Sequence, residues 1–191
     1  MCSSNNTYEK SKMHIFFMSL VIIGAINWGG HALGYNFVDI LSYQINKLFH
    51  SKIPINKIIY LSVAIAGIIL ARKRSTWLPF LGKTVFPDSL VPLVQPAKPD
   101  TNVSIKTKPN VKIAYWAALN KGDTTDVKSA YGKYENSGVV MSDADGNATL
   151  PIMTGTGYTL PSGKVLPRHV HYRLVNYPEN GMMSKIKTIN Y

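Results

Sequence analysis

Between Ile15 and Leu33 the chain reads IFFMSLVIIGAINWGGHAL, nineteen residues without one Asp, Glu, Lys or Arg. A helix of that length is about what hydrocarbon requires, so the run is expected to span a bilayer. A cleavable signal is the rival reading, because Lys10 and Lys12 precede the run; against it, the apolar stretch continues through Trp28 with no small-x-small cleavage site. A second apolar run, IIYLSVAIAGIILA from Ile58 to Ala71, is short for a span. Ile53 to Ile55 are expected to extend it, with Lys57 and Arg72 snorkelling to headgroups.

Small residues in both runs (Gly24, Ala25, Gly29 and Gly30; Ser62, Ala64, Ala66 and Gly67) would let two helices approach closely in lipid. Between the runs, Phe37, Ile40, Leu41, Ile45, Leu48 and Phe49 recur at helical spacing, which suits a helix in the membrane interface or one capping the hairpin. Two spans leave both termini on one side. Lys10, Lys12, Arg72, Lys73 and Arg74 outnumber Lys47, Lys52 and Lys57, so that side is expected to be the cytoplasm. Glycans at the acceptors Asn102 or Asn147 would reverse that orientation.

The 191 residues leave room for one small domain beyond this membrane part. A net charge of +11 asks for an anionic neighbour such as headgroups or acidic protein. No compact basic run with interleaved aromatics appears, so specific nucleic-acid binding is not expected. The lone cysteine, Cys2, excludes an internal disulfide framework and a Cys-rich zinc site.

From 86 to 110, prolines at 87, 92, 96, 99 and 109 interrupt any helix and suggest an extended spacer. Beyond it, β-rich runs are separated by turn chemistry such as Asn120-Lys121-Gly122-Asp123, Asp145-Gly146-Asn147 and Pro161-Ser162-Gly163. Those runs are Val103 to Ile105, Val111 to Ala117, Val139 to Ser142, Ala148 to Ile152, His169 to Val175 and Lys185 to Ile189. The expected organisation is therefore an N-terminal tail (1–12), a membrane hairpin with an interfacial helix (13–85), a Pro-rich linker (86–110) and an antiparallel β-sandwich (111–191). Within the sandwich, Arg168-His169-Val170-His171 puts two imidazoles on one face of a strand, where they could share a metal or simply pack.

Two resemblances add to this. Ile26-Asn27-Trp28-Gly29, Asn36-Phe37-Val38-Asp39, Ile58-Ile59-Tyr60 and Ala66-Gly67 resemble a small two-span membrane family of unknown function with an N-W-G signature. The continuation from Leu78 to Pro87 is similar to its versions in large DNA viruses, which implies a place in a membrane-containing virion. Asn27, Trp28, Gly29 and Gly67 would then serve anchoring and helix packing, Asn27 through an interhelical hydrogen bond. The C-terminal half, through Trp116 to Gly122, Ser142 to Gly146, Gly157-Tyr158 and Pro167 to Tyr172, resembles intradiol ring-cleavage dioxygenases. That family has a β-sandwich and a ferric iron held by two tyrosines and two histidines.

The second resemblance implies Tyr158, His169 and His171 as ligands and departs from its family twice. Asn120 sits one place late in the W-x-x-N-x-x-G segment, and the first tyrosine's place is Thr124; Tyr131 or Tyr134 would have to replace it. The substrate-stabilising arginine's place is Leu166, while Arg168 is directed to the opposite face. Such decay points to a structural protein of a large DNA virus particle, a minor capsid or inner-membrane protein linking the inner bilayer to capsid proteins. Its sandwich would then lie on the cytoplasmic or capsid-facing side and need no cofactor. The alternative is a membrane-tethered non-haem iron dioxygenase with iron as its cofactor. A small channel has only Asn27 behind it and would require a homo-oligomer.

Overall fold

The computed structural model describes residues 4–50, 52–119 and 127–191 and divides into two compact units, 1–79 and 80–191. Cys2, Asn120 and Thr124 lie outside the described residues.

The first unit is helical. Helix α1 runs Ser4–Ala32, α2 Phe37–Leu48 and α3 Ile55–Ala71, followed by a single turn, α4, Arg74–Trp77. Within α1, Lys12–Ala32 is long and apolar enough to cross a membrane. The second expected span falls short. Pro54 caps α3, so Ile53 stays outside it, and 17 residues reach about 26 Å where a bilayer core needs ~30 Å.

The unit buries Val38, Ala66 and Leu70 but leaves most of its large apolar side chains on the surface. Asn27 (3% exposed) and Ser42 are buried, while Ile15, Phe16, Ile23, Ile26, Ile58 and Leu61 lie on its surface. Asn27 Oδ1 accepts the Val38 backbone N–H at 3.0 Å, and its amide points at the Tyr60 hydroxyl, 3.5 Å away. Tyr60 donates to Asn36 Oδ1 at 2.9 Å; Asn36 in turn caps α2 by accepting from Asp39 N. One polar network thus ties all three long helices.

Of the small residues expected at the helix contact, Gly24 lies at it and Gly29 and Gly67 do not. A Cβ on Gly29 or Gly67 would meet nothing within 4 Å. Close approach occurs at Gly24, where a Cβ would come within 2.6 Å of Val63, because the crossing of α1 and α3 decides which small residue faces the partner. Trp28 is exposed and tilted against Tyr60.

The second unit is an antiparallel β domain with strands β1 Thr84–Val85, β2 Thr101–Lys106, β3 Lys112–Ala117, β4 Ser137–Met141, β5 Asn147–Ile152, β6 Tyr158–Thr159, β7 Val165–Leu166, β8 His169–Leu174, β9 Met182–Met183 and β10 Lys187–Asn190, together with a 3-10 turn at Asp88–Leu90 and a short α-helix, α5, Val127–Tyr131. A four-stranded sheet of order β10-β8-β3-β4 faces the β2–β5 pair. Strict alternation drives the layering: Val103, Ile105, Ala148, Leu150 and Ile152 turn inward against Ile113, Tyr115, Ala117, Val170, Tyr172 and Leu174. Each expected β run has a counterpart, whereas the two-residue strands β1, β6, β7 and β9 carry no pattern that alternation could reveal.

Tyr115 bridges the layers by donating to Pro151 O at 2.8 Å, and burial pushes its phenol up to about 12. Gly138 makes room for it, since a Cβ there would stand 2.3 Å from the Tyr115 hydroxyl.

The stretch expected as a spacer is bound to the domain along its length. Val94 and Val139 exchange both backbone hydrogen bonds (3.1 and 2.7 Å), Asp88 pairs with Lys112 at 3.0 Å, and β2 lies within 86–110. Just upstream, β1 pairs with β9, and Arg173 donates to Phe80 O (2.5 Å), Gly82 O (3.0 Å) and Thr84 Oγ1 (2.8 Å). Prolines bar a helix but leave the intervening N–H and C=O groups free to pair.

Candidate functional site

Strand β8 places His169 and His171 on one face, as residues two apart must be, and their ring centroids lie 4.7 Å apart. Register then selects their company. Trp116 of β3 opposes His171, with ring centroids at 5.6 Å, and Thr188 of β10 opposes it from the other side, its hydroxyl 2.8 Å from His171 Nδ1. The tight β6–β7 hairpin, closed by Leu160 and Gly163, pairs Tyr158 with Leu166 and brings the Tyr158 ring to 5.5 Å from His169.

Helix α5 supplies what sequence spacing left open. Its last residue, Tyr131, is 4% exposed, and its hydroxyl lies 3.1 Å from His169 Nε2 and 3.2 Å from the Tyr158 hydroxyl. Tyr134 stacks on Tyr131 and is largely exposed, so of the two candidate replacements it is Tyr131 whose phenol reaches the histidine pair. Tyr158 and His169 are each 6% exposed.

Proton positions follow from one carbonyl. His169 Nδ1 sits 2.6 Å from Pro167 O, which can only accept, so Nδ1 carries the hydrogen and Nε2 of the neutral ring presents its lone pair. Tyr131 therefore donates to Nε2, and Tyr158 donates to Tyr131. Burial, the largest cause, pushes the Tyr131 phenol well above its usual value. A cation among these atoms would reverse that preference.

The Tyr131 hydroxyl stands 3.2 Å from the Tyr158 hydroxyl and 3.1 Å from His169 Nε2, the spacing of neighbouring ligands on an ion with bonds of ~2 Å. The same separations are hydrogen bonds, so the cluster is also satisfied without metal. Among the described residues no three His, Cys, Asp or Glu side chains come together, so an ion here would have to be held by the phenols too. The donor set, oxygen and nitrogen with two potential phenolates, suits a ferric ion. The Pro167 carbonyl and Thr188 hydroxyl are the outer partners that such imidazoles require.

Ala118, Ala130, Trp116, Leu160 and Leu166 form the surrounding apolar wall. Leu166, in the expected arginine's place, packs on the cluster, while Arg168 is exposed. Sequence reasoning missed Thr188 and the Pro167 carbonyl, whose roles depend on β10 register and on the bend before β8.

Comparisons with known proteins add little. Neither a family model nor a curated protein matches the chain, and nothing among them supports the two-span membrane family. Among solved structures, catechol 1,2-dioxygenase from Acinetobacter sp. ADP1, inhibited by bound mercury, is similar at 16% identity and a TM-score of 0.34. That likeness covers 80% of this chain and 75% of the other. At that level it transfers neither fold nor chemistry, and the case for the site lies in this chain's own side chains.

Proposed function

We propose that the β unit binds a ferric ion through Tyr131, Tyr158, His169 and His171, and that the chain carries this intradiol-type site on a bilayer anchor. The observation behind it is the convergence of the Tyr131 phenol on both Tyr158 and His169 Nε2. Bound there, the ion would supply the Lewis acidity that ionises and chelates a catechol-like ligand. The chain's own groups do the rest. Pro167 O and Thr188 hold the imidazoles in orientation, and Leu160, Leu166 and Trp116 keep water from the phenols. No arginine serves the substrate's charge at position 166, a loss of a few kcal/mol in a ring-cleavage transition state, so ligand binding is favoured over fast turnover.

The anchor rests on the apolar surface of the helical unit. Burying Asn27 and Ser42 while exposing Ile and Phe side chains is unfavourable in water and natural in hydrocarbon. On this reading α1 spans, α3 returns as a slightly short second crossing, and the β unit lies on the cytoplasmic side.

The test is metal analysis of the full chain in detergent after ferric loading, with a search for visible tyrosinate-to-iron absorption. About one iron per chain with such a band is expected, and colourless, iron-free protein refutes the site. A second reading, a structural virion protein linking an inner bilayer to capsid proteins, is favoured by Leu166 in place of the arginine. Finding the chain in purified particles without any bound metal would select it.

A further inference from the structure

The apolar surface of the β unit is unevenly spread. Eleven large apolar or aromatic side chains are exposed among the described residues of 80–191, and six of them (Phe80, Val85, Phe86, Leu90, Leu93 and Val94) fall within 80–94. This strap lies against the domain: Arg173 grips its start, Lys112 its middle and Val139 its end. Held by its backbone, it turns apolar side chains outward that an isolated soluble domain would bury.

Charge and connectivity say what covers them. Between 72 and 99 the chain carries Arg72, Lys73, Arg74, Lys83 and Lys98 against one carboxylate, Asp88, and that one is already paired with Lys112. Within the strap Lys83 is the one cation, and Arg72, Lys73 and Arg74 flank it on the α3 side; apolar side chains bordered by cations suit an anionic lipid surface. Phe80 follows the end of α3 at Ala71 by nine residues, a tether of about 30 Å at most. A bilayer holding α3 is therefore present at high effective concentration, whereas a protein partner would have to be recruited. Because the strap is already ordered on the sheet, little conformational freedom is lost on contact.

We infer that the strap from Phe80 to Val94 docks the β unit onto the headgroup layer of an anionic bilayer, so that the domain rests on the membrane instead of standing off from it. This rests on the anchoring part of the proposed function and is independent of metal.

The full chain with Cys2→Ser would carry one labelled cysteine at a time, from Val85→Cys, Leu90→Cys or Leu93→Cys in the strap. Thr149→Cys on the exposed face of β5 serves as the water control and Ile65→Cys on α3 as the anchor control. Each is labelled with an environment-sensitive fluorophore and reconstituted into phosphatidylcholine–phosphatidylserine vesicles containing nitroxide-bearing lipid. Strap labels are expected to be quenched several-fold more than the Thr149 label. Strap labels that match the Thr149 label while the Ile65 label is quenched overturn docking and leave the anchor standing; the strap then faces water or a protein. An unquenched Ile65 label means that the anchor itself is absent, and the docking surface falls with it.

Discussion

A single phenol separates a metal centre from an ordinary aromatic core. Tyr131→Phe fills the same space but removes the hydroxyl shared by Tyr158 and His169, so the apo protein should lose only about 1 kcal/mol while iron uptake and the tyrosinate band fall sharply. Metal analysis and visible spectra of the purified variant check this. In the helical unit, Asn27→Ala leaves the buried Val38 N–H without its acceptor and should cost about 1 to 3 kcal/mol in detergent unfolding, with Trp28→Ala, an exposed position, far milder. Asp143 illustrates pH linkage. Hydrogen bonds from the Asn147 side chain and backbone, then that from Asp145, lower its pKa below the ordinary 3.8. A depressed folded pKa means that its contribution is complete above the unfolded value and is lost as pH falls through the folded one. Asp143→Asn should therefore flatten the acid limb of a pH-dependent unfolding curve. The histidine pair was legible because a period of two needs only a strand, whereas Tyr131 over Tyr134 was not, because the end of a five-residue helix decides it.

At the scale of elements, Arg173 shows how one side chain converts a Pro-rich stretch into part of a domain. The residue is 8% exposed, and its guanidinium faces two carbonyls and a hydroxyl and has its pKa lowered by burial. Arg173→Met should destabilise the strap by about 2 kcal/mol, lost hydrogen bonds outweighing relief of the buried charge. Hydrogen exchange would show it as faster exchange at Phe86 and Ile186, whose amides bond to Gly181 O and Leu81 O, with β2 and β5 unchanged. Prolines announced the absence of helix, and the alternation of β2, β3, β5 and β8 announced the sheets. Neither could announce that β1 would pair with β9, a partner almost a hundred residues away. Pro54 acted the other way: a visible residue that made α3 begin only at Ile55 and left the second crossing without Ile53.

For the whole molecule, alkaline carbonate should leave the intact chain in the membrane pellet; its release would remove the anchor and everything placed upon it. The sequence by itself determined that the front of this chain is helical and apolar, that the back is β-rich, and that two histidines share a strand face, because each follows from the periodicity of near neighbours. Tertiary structure alone decided that Asn27 is buried beneath Val38, that Gly24 and not Gly29 or Gly67 meets the neighbouring helix, and that Tyr131 completes the cluster. Such meetings are set by helix crossing and strand register, which sum contributions from the entire fold and leave no trace in the spacing of the residues that they join.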